Sequence, residues 1–141
     1  MISANADAMG VAAALVLRVA GGGAQSFEGV ARYDQGQGKF VPIPIGLGPP
    51  SDQVYVLLFG VGIRNAPNTD GNPGNGSAEN VMVTVGGMNV PVLYAGSQGG
   101  FIGLDQINIG PMPRSLIGRG VVNVVVTVNG IITNTTQLWF K

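Results

Sequence analysis

Short segments rich in valine and isoleucine recur along this chain, and each is bounded by glycine, proline or asparagine. Branched apolar residues in runs of about four to eight, separated by turn formers, are typical of β-strands and not of helices. The clearest unit spans 121–140, where an alternating valine-rich run precedes Asn129-Gly130. Because Asn-Gly favours a type I′ turn, whose twist matches the strands that it joins, this unit is predicted to be a β-hairpin.

A second hairpin is predicted over 80–94, with Gly86-Gly87 at its turn, because glycine readily adopts the positive φ that such a turn requires. Pro91 cannot donate a backbone hydrogen bond, so the returning strand is expected at a sheet edge or a bulge. The almost continuous apolar run 53–63 is expected to be a central strand covered on both faces. Further strands are predicted at 11–19, 26–33 and 40–45, the last at an edge because it contains proline.

About seven or eight short strands with turns at this spacing predict an all-β fold, and a length of 141 residues favours a sandwich. We therefore expect an immunoglobulin-like β-sandwich of about seven to nine strands. The segment 110–120 contains two prolines and is expected to be a crossover loop with one helical turn. Residues 11–141 are expected to form the domain, and residues 1–10 a linker or a donated strand.

Composition excludes several functions. Seven basic residues balance seven acidic ones, so no long-range field attracts nucleic acid, anionic lipid or an acidic substrate. Cysteine and histidine are absent, which excludes disulfides, thiol nucleophiles, Cys/His zinc sites and the commonest general base. No apolar run approaches the ~18 residues of a transmembrane helix, so no membrane insertion is expected. The chain is predicted not to be an enzyme.

The loop 65–80 reads NAPNTDGNPGNGSAEN, and its side-chain oxygens are of the kind that calcium prefers. The candidate calcium ligands are Asn68, Asp70, Asn72 and Glu79. However, glycine follows Asp70 directly, proline interrupts the middle of the loop, and only two of the ligands are charged. Asn, Gly and Pro also make ordinary turns. Calcium is the only cofactor that the sequence suggests, and a simple polar loop is the alternative.

Asp105 lies among apolar residues in the segment 101–109. A carboxylate in such a place usually caps a turn by accepting backbone N–H bonds, and we expect it to do so here, with Arg114 or Arg119 as its partner. The catalytic alternative would need a second carboxylate beside Asp105. No histidine is available to complete a catalytic set.

The only tryptophan, Trp139, is a candidate for sugar binding together with Tyr33, Tyr55 and Tyr94. A stacking platform would require these rings on one sheet. Isolated aromatic residues in sandwiches usually pack in the core or against a neighbouring domain, which is the alternative interpretation.

Five segments occur in an order and spacing that resemble one known family. They read GVAAALVLRV, QSFEGVARYD, KFVPIPIGLGPPSDQVYVLLFGVGIR, VTVGGMNVPVLYAGSQGGFIGLDQINI and PRSLIGRGVVNVVVTVNGIITNTTQL. The patterns LYAGxQGGFxGLDQxN and SLxGRG are the most specific. Over nearly its whole length the chain resembles an uncharacterised C-terminal domain of large secreted soil-bacterial proteins, and its later half is similar to the IPT/TIG type of immunoglobulin-like domain.

The resemblance implies an extracellular or cell-surface module in which no residue has an assigned activity. We accordingly expect a noncatalytic structural or adhesive module that contacts neighbouring domains or other protein. One alternative is a self-assembling filament subunit, in which 3–19 or 133–140 completes the sheet of the next copy. Another is a calcium- or carbohydrate-binding accessory domain.

Overall fold

The computed structural model describes residues 1–64 and 80–141, and most of them lie in β-strands. The strands are β1 (Ala14–Val19), β2 (Gln25–Gly29), β3 (Ala31–Asp34), β4 (Lys39–Pro42), β5 (Pro44–Ile45), β6 (Gln53–Gly60), β7 (Val81–Val85), β8 (Met88–Val90), β9 (Val92–Ser97), β10 (Asp105–Ile109), β11 (Gly120–Val128), β12 (Ile131–Ile132) and β13 (Thr136–Phe140). A single 3-10 turn, Arg114–Leu116, lies within the predicted crossover loop.

Two sheets form the body of the molecule. The first sheet has the strand order β2-β1-β6-β10-β9, with every neighbouring pair antiparallel. The second has the order β5-β13-β11-β7-β8, in which β5 runs parallel to β13 and β12 pairs with β11. Strands β3 and β4 form a separate two-stranded ribbon.

One hydrophobic core lies between the two sheets. In β6 every second residue is buried, and so is every second residue in the middle of β11, because side chains alternate between the two faces of a strand. The inward side chains of both sheets belong to a single buried cluster, which includes Val56, Leu58, Ile107, Val124 and Phe140. The prediction of an all-β sandwich is therefore confirmed.

The predicted turn chemistry is confirmed at both hairpins. Asn129 and Gly130 have φ of 49° and 78°, and Gly86 and Gly87 have φ of 58° and 82°, as a type I′ turn requires. Pro91 separates β8 from β9, which lie at the edges of different sheets. The chain therefore crosses between sheets at the proline, where no ladder hydrogen bond is lost.

The strands differ from the prediction in four places. Strand β6 is central, but it ends at Gly60 and only its inward face is fully buried, so the expected cover on both faces is wrong. Strand β10, Asp105–Ile109, was not predicted, although polar and apolar residues alternate from Gln106 to Ile109, as is typical of a half-buried strand. The predicted strand 26–33 is divided at Val30 into β2 and β3, which belong to different sheets. The edge segment 40–45 is divided into β4 and β5.

Residues 1–10 pack against the body of the same chain. The backbone N–H of Ile2 donates to the carbonyl of Phe59 at 2.9 Å, and that of Gln137 donates to Gly10 at 2.7 Å. Val11 and Ala12, which follow this segment, are buried. Strand β13 also pairs internally, between β5 and β11. In this fold both segments considered for strand donation have partners within the chain. Among the described residues, no helix is long and apolar enough to cross a membrane.

Candidate protein-interaction surface

Asp105 lies at the start of β10 and is only 1% exposed. Its Oδ2 accepts the backbone N–H groups of Ile63 and Arg64 at 2.6 and 3.1 Å, and its Oδ1 accepts the Arg64 Nε–H at 2.5 Å. The capping role is as predicted, but the predicted arginine partners are wrong. Arg114 donates to the carbonyls of Gly48 and Pro49, and Arg119 to that of Gly86.

The segment 98–104, which we call the Phe101 loop, connects β9 to β10 and is closed by its own hydrogen bonds. The Gln98 side-chain oxygen accepts the N–H groups of Gly100 and Phe101 at 2.8 and 3.0 Å. Backbone bonds from Gln98 to Leu104, and from Leu104 to Phe101, complete the turn. Gly99 and Gly103 have positive φ, which glycine adopts without strain. The loop is therefore held in one conformation.

The tip of the Phe101 loop presents two large apolar side chains to solvent. Phe101 is 70% exposed and Ile102 is fully exposed. Arg64 ties the base of the loop to the end of β6, since it donates to Leu104 at 2.7 Å as well as to Asp105. Val61, which directly follows β6 in the chain, is also exposed. This end of the sandwich combines rigid backbone with exposed apolar surface, a combination that reduces the entropy cost of binding.

The outer face of the first sheet is a second apolar surface. Residues opposite one another in an antiparallel pair share a face, and Leu17 lies opposite both Phe27 and Tyr55. In the next row Leu57 lies opposite Leu15 and Asn108. No strand of this sheet, all of which belong to the described chain, places a charged residue at an outward position.

The charged residues of β1 and β2 point the other way. Arg18 and Glu28 occupy inward positions at the margin of the core and pair with each other at 3.0 Å. Arg18 also donates to the carbonyl of Gly46 and lies 3.6 Å from Asp52. Their mutual pairing holds these charges away from the outer face.

The predicted calcium ligands, Asn68, Asp70, Asn72 and Glu79, lie outside the described residues. Within 1–64 and 80–141, no three His, Cys, Asp or Glu side chains are grouped as metal ligands would be.

The four aromatic residues considered for sugar binding do not share a sheet. Trp139 lies on β13 of the second sheet, and Tyr33 lies on the ribbon, where its ring packs edge-on against Phe40. Tyr55 and Tyr94 lie on the first sheet, separated by β10. The structure therefore does not bring the four rings onto one sheet, as a single stacking platform would require.

A groove of about 410 Å³ lies between the ribbon and the second sheet, and Asp7, Lys39 and Gln137 are among its polar residues. The Ser3 hydroxyl and then the Met9 N–H donate to Asp7, and these bonds hold its pKa below the ordinary value. Asp7 already has two donors within the chain, so the groove offers no free carboxylate.

A scan against protein-family models and searches of curated proteins and of solved structures found no match to this chain. The family resemblance therefore rests on the sequence patterns alone. The most specific of these patterns, LYAGxQGGFxGLDQxN, covers the Phe101 loop and the strands on both sides of it. The sequence analysis did not single out the exposed Phe-Ile pair, although glycines on both sides of two apolar residues were a signal.

Proposed function

We infer that the chain is a noncatalytic structural or adhesive module of immunoglobulin-like type, which binds other protein at the cell surface or outside the cell. One observation carries the proposal: the Phe101 loop holds two large apolar side chains in solvent on a fixed backbone. Exposed apolar groups on ordered backbone are typical of protein-docking sites, where buried aromatic anchors contribute most of the binding energy.

The surroundings of the loop favour an apolar pocket on a protein as the partner. The adjacent charges, Arg64 and Asp105, neutralise each other. The Phe101 loop itself, residues 98–104, contains no basic residue that could attract anionic lipid. The extracellular location is supported by the family resemblance alone.

The noncatalytic part of the proposal rests on Asp105, the carboxylate considered for catalysis. Both of its oxygens accept hydrogen bonds from Ile63 or Arg64. A general acid or base must reach a substrate proton, and this carboxylate is buried behind its own donors. Its bonds hold the end of β6 beside the base of the loop.

Photo-crosslinking tests the proposal. A benzophenone amino acid replaces Ile102 in the full chain, in the cells that produce it, and the matched control carries it at Met82, exposed on the second sheet. We expect adducts of defined mass with protein at position 102, reduced at least about fivefold by Phe101→Ser, since loss of ~1 kcal/mol or more is typical of an anchor residue. Adducts no more abundant than those at Met82, or adducts with lipid or glycan only, would refute it.

A further inference from the structure

We propose that the outer face of the first sheet binds a second copy of this chain, forming a symmetric dimer by sheet-on-sheet packing. The surface differs from the Phe101 loop, and the inference goes beyond the proposed function. The face is built from Leu15 and Leu17 on β1, Phe27 on β2, and Tyr55, Leu57 and Phe59 on β6.

The exposure of this face is the first argument. Phe27 is 62% exposed and Leu15 is 38% exposed, whereas Val16, which lies between Leu15 and Leu17 on the opposite face of β1, is buried. Three neighbouring strands thus carry large apolar side chains outward, and nothing in the described chain covers Phe27. A contiguous apolar surface of this kind is costly to leave in water.

The absence of charge favours a second copy over a different protein. In an interface with twofold symmetry each patch meets an identical patch. A lysine or glutamate near the axis would therefore face the same charge on the second copy. The outward positions of this sheet carry no charge. Interfaces between different proteins, by contrast, commonly use complementary charges for specificity and steering.

The polar groups of the face also suit a copy of themselves. Its outward polar residues include the amides Gln53, Gln106 and Asn108, and the Gln106 Nε2 donates to the Asn108 Oδ1 at 2.6 Å. An amide has both donors and acceptors. The same side chain on two copies can therefore form hydrogen bonds across a twofold axis, which a carboxylate or an ammonium group cannot.

The size of the face sets the expected affinity. Strands spaced ~4.8 Å apart and roughly 17–20 Å long give five strands a flat footprint of roughly 400–500 Å². A standard interface buries about 800 Å² on each partner, and transient ones less than about 600 Å². A twisted sheet packs best on another twisted sheet at about −30°. We expect a weak dimer, with a dissociation constant on the order of 10–100 μM.

Analytical ultracentrifugation of the whole chain between about 1 and 500 μM tests the proposal. We expect a reversible monomer–dimer equilibrium that Phe27→Glu weakens at least tenfold, because the substitution places like charges across the axis. The matched control is Met82→Glu, since Met82 is 58% exposed on the outer face of the second sheet, and it should leave the equilibrium unchanged. Circular dichroism checks that both variants are folded, and Leu15→Glu is an independent second substitution.

Two results would overturn the dimer. One is a chain that stays monomeric up to about 500 μM. The other is a dimer that survives Phe27→Glu and Leu15→Glu but is lost in Met82→Glu. The dimer and the proposed function can be refuted independently. Phe101→Ser should leave the monomer–dimer equilibrium unchanged. A chain that is monomeric but still crosslinks to protein through position 102 would refute only the dimer.

Discussion

Asp105 directly follows the Phe101 loop, and its hydrogen bonds connect the base of that loop to the residues that follow β6. A buried carboxylate is stable only when its charge is paired and its oxygens are hydrogen-bonded. Here two backbone N–H groups and one guanidinium satisfy it. The side chain therefore fixes the positions of three donors on the adjacent residues Ile63 and Arg64, which lie 42 and 41 residues before Asp105 in the sequence.

Replacing Asp105 by Asn is expected to lower the free energy of unfolding by about 3 kcal/mol, because the amide cannot pair with Arg64 and turns N–H donors toward other donors. Arg64→Gln should cost only about 1 kcal/mol, since the Arg64 side chain is 32% exposed and the backbone donors keep their acceptor. Urea denaturation of both variants measures the difference. Equal losses would mean that the ion pair, and not the backbone cap, dominates.

Asp7 shows how an exposed carboxylate responds to local donors. Its pKa lies below the ordinary 3.8, mainly because the Ser3 hydroxyl donates to it and secondarily because the Met9 N–H does. A depressed pKa means that the stabilisation is complete above the ordinary pKa and is lost as pH falls through the folded value. In a carbon-13 NMR titration Ser3→Ala should move the Asp7 midpoint up toward 3.8. An unmoved midpoint would assign the shift to Met9 or Lys39.

At the scale of strands and turns, the sequence predicted the features that depend only on neighbouring residues, such as the two hairpin turns. Asn129-Gly130 and Gly86-Gly87 favour their turns without help from the rest of the fold, and the prediction at both was confirmed. Pairings between distant residues were not predictable in the same way. Arg64 and Asp105 are 41 residues apart, and nothing in the sequence distinguishes Arg64 from Arg114 as the partner.

The outer face of the first sheet was also beyond the reach of sequence analysis. Strand β6 looks apolar on both faces, which suggested cover on both sides. Whether the outer face is covered depends on which elements pack over it. No described strand covers Phe27 on β2 of the same sheet, and that side chain is 62% exposed. The alternation of side chains along a strand shows which residues share a face of the sheet. Which of the two faces points to solvent depends on how the sheets pack together.

The Phe101 loop depends on one side chain, Gln98. Its oxygen accepts two backbone N–H groups, from Gly100 and Phe101. In Gln98→Ala we expect hydrogen exchange of both amides to quicken about tenfold, since each bond contributes ~1 kcal/mol to closing the turn. Global stability should change by less than about 1 kcal/mol, because the loop lies outside the core.

The matched control for Gln98→Ala is Gln106→Ala, which removes an amide from the neighbouring strand β10 and leaves the loop bonds intact. Exchange at Gly100 and Phe101 should then stay at the wild-type rate. If Gln98→Ala left these two amides unaffected, the loop would owe its conformation to Gly99 and Gly103 instead.

The described residues, 1–64 and 80–141, form one core between two sheets whose outward strand positions carry no charge. Both sheets contribute to the same buried cluster, so the sandwich should unfold as one cooperative unit. The outward positions of the second sheet, such as Val121 and Gln137, also lack charge. Charged side chains of the described chain lie on the ribbon, the loops and the core margin, and the net charge is zero. Association between copies therefore meets little electrostatic resistance.

Residues 1–10 show whether the cooperatively unfolding unit extends beyond the sandwich to the N-terminal segment. Residues 1–10 contribute the bonds Ile2 to Phe59 and Gln137 to Gly10, and Asn5 both donates to and accepts from the backbone of Phe40. Deleting the segment removes these four bonds and should lower the free energy of unfolding by about 4 kcal/mol, since each bond is worth ~1 kcal/mol. Thermal unfolding of the shortened chain measures this loss.

Asn5→Ala separates the two attachments of the segment, because it removes only the two bonds to the ribbon and should cost about 2 kcal/mol. An unchanged melting temperature after deletion of 1–10 would make the segment a linker. Filaments of the whole chain that disappear on the same deletion would instead establish strand donation, which requires Ile2 to leave Phe59 and pair with another copy. A destabilised shortened chain with unaltered sedimentation would place residues 1–10 within the domain, and the dimer would then depend on the sheet face alone.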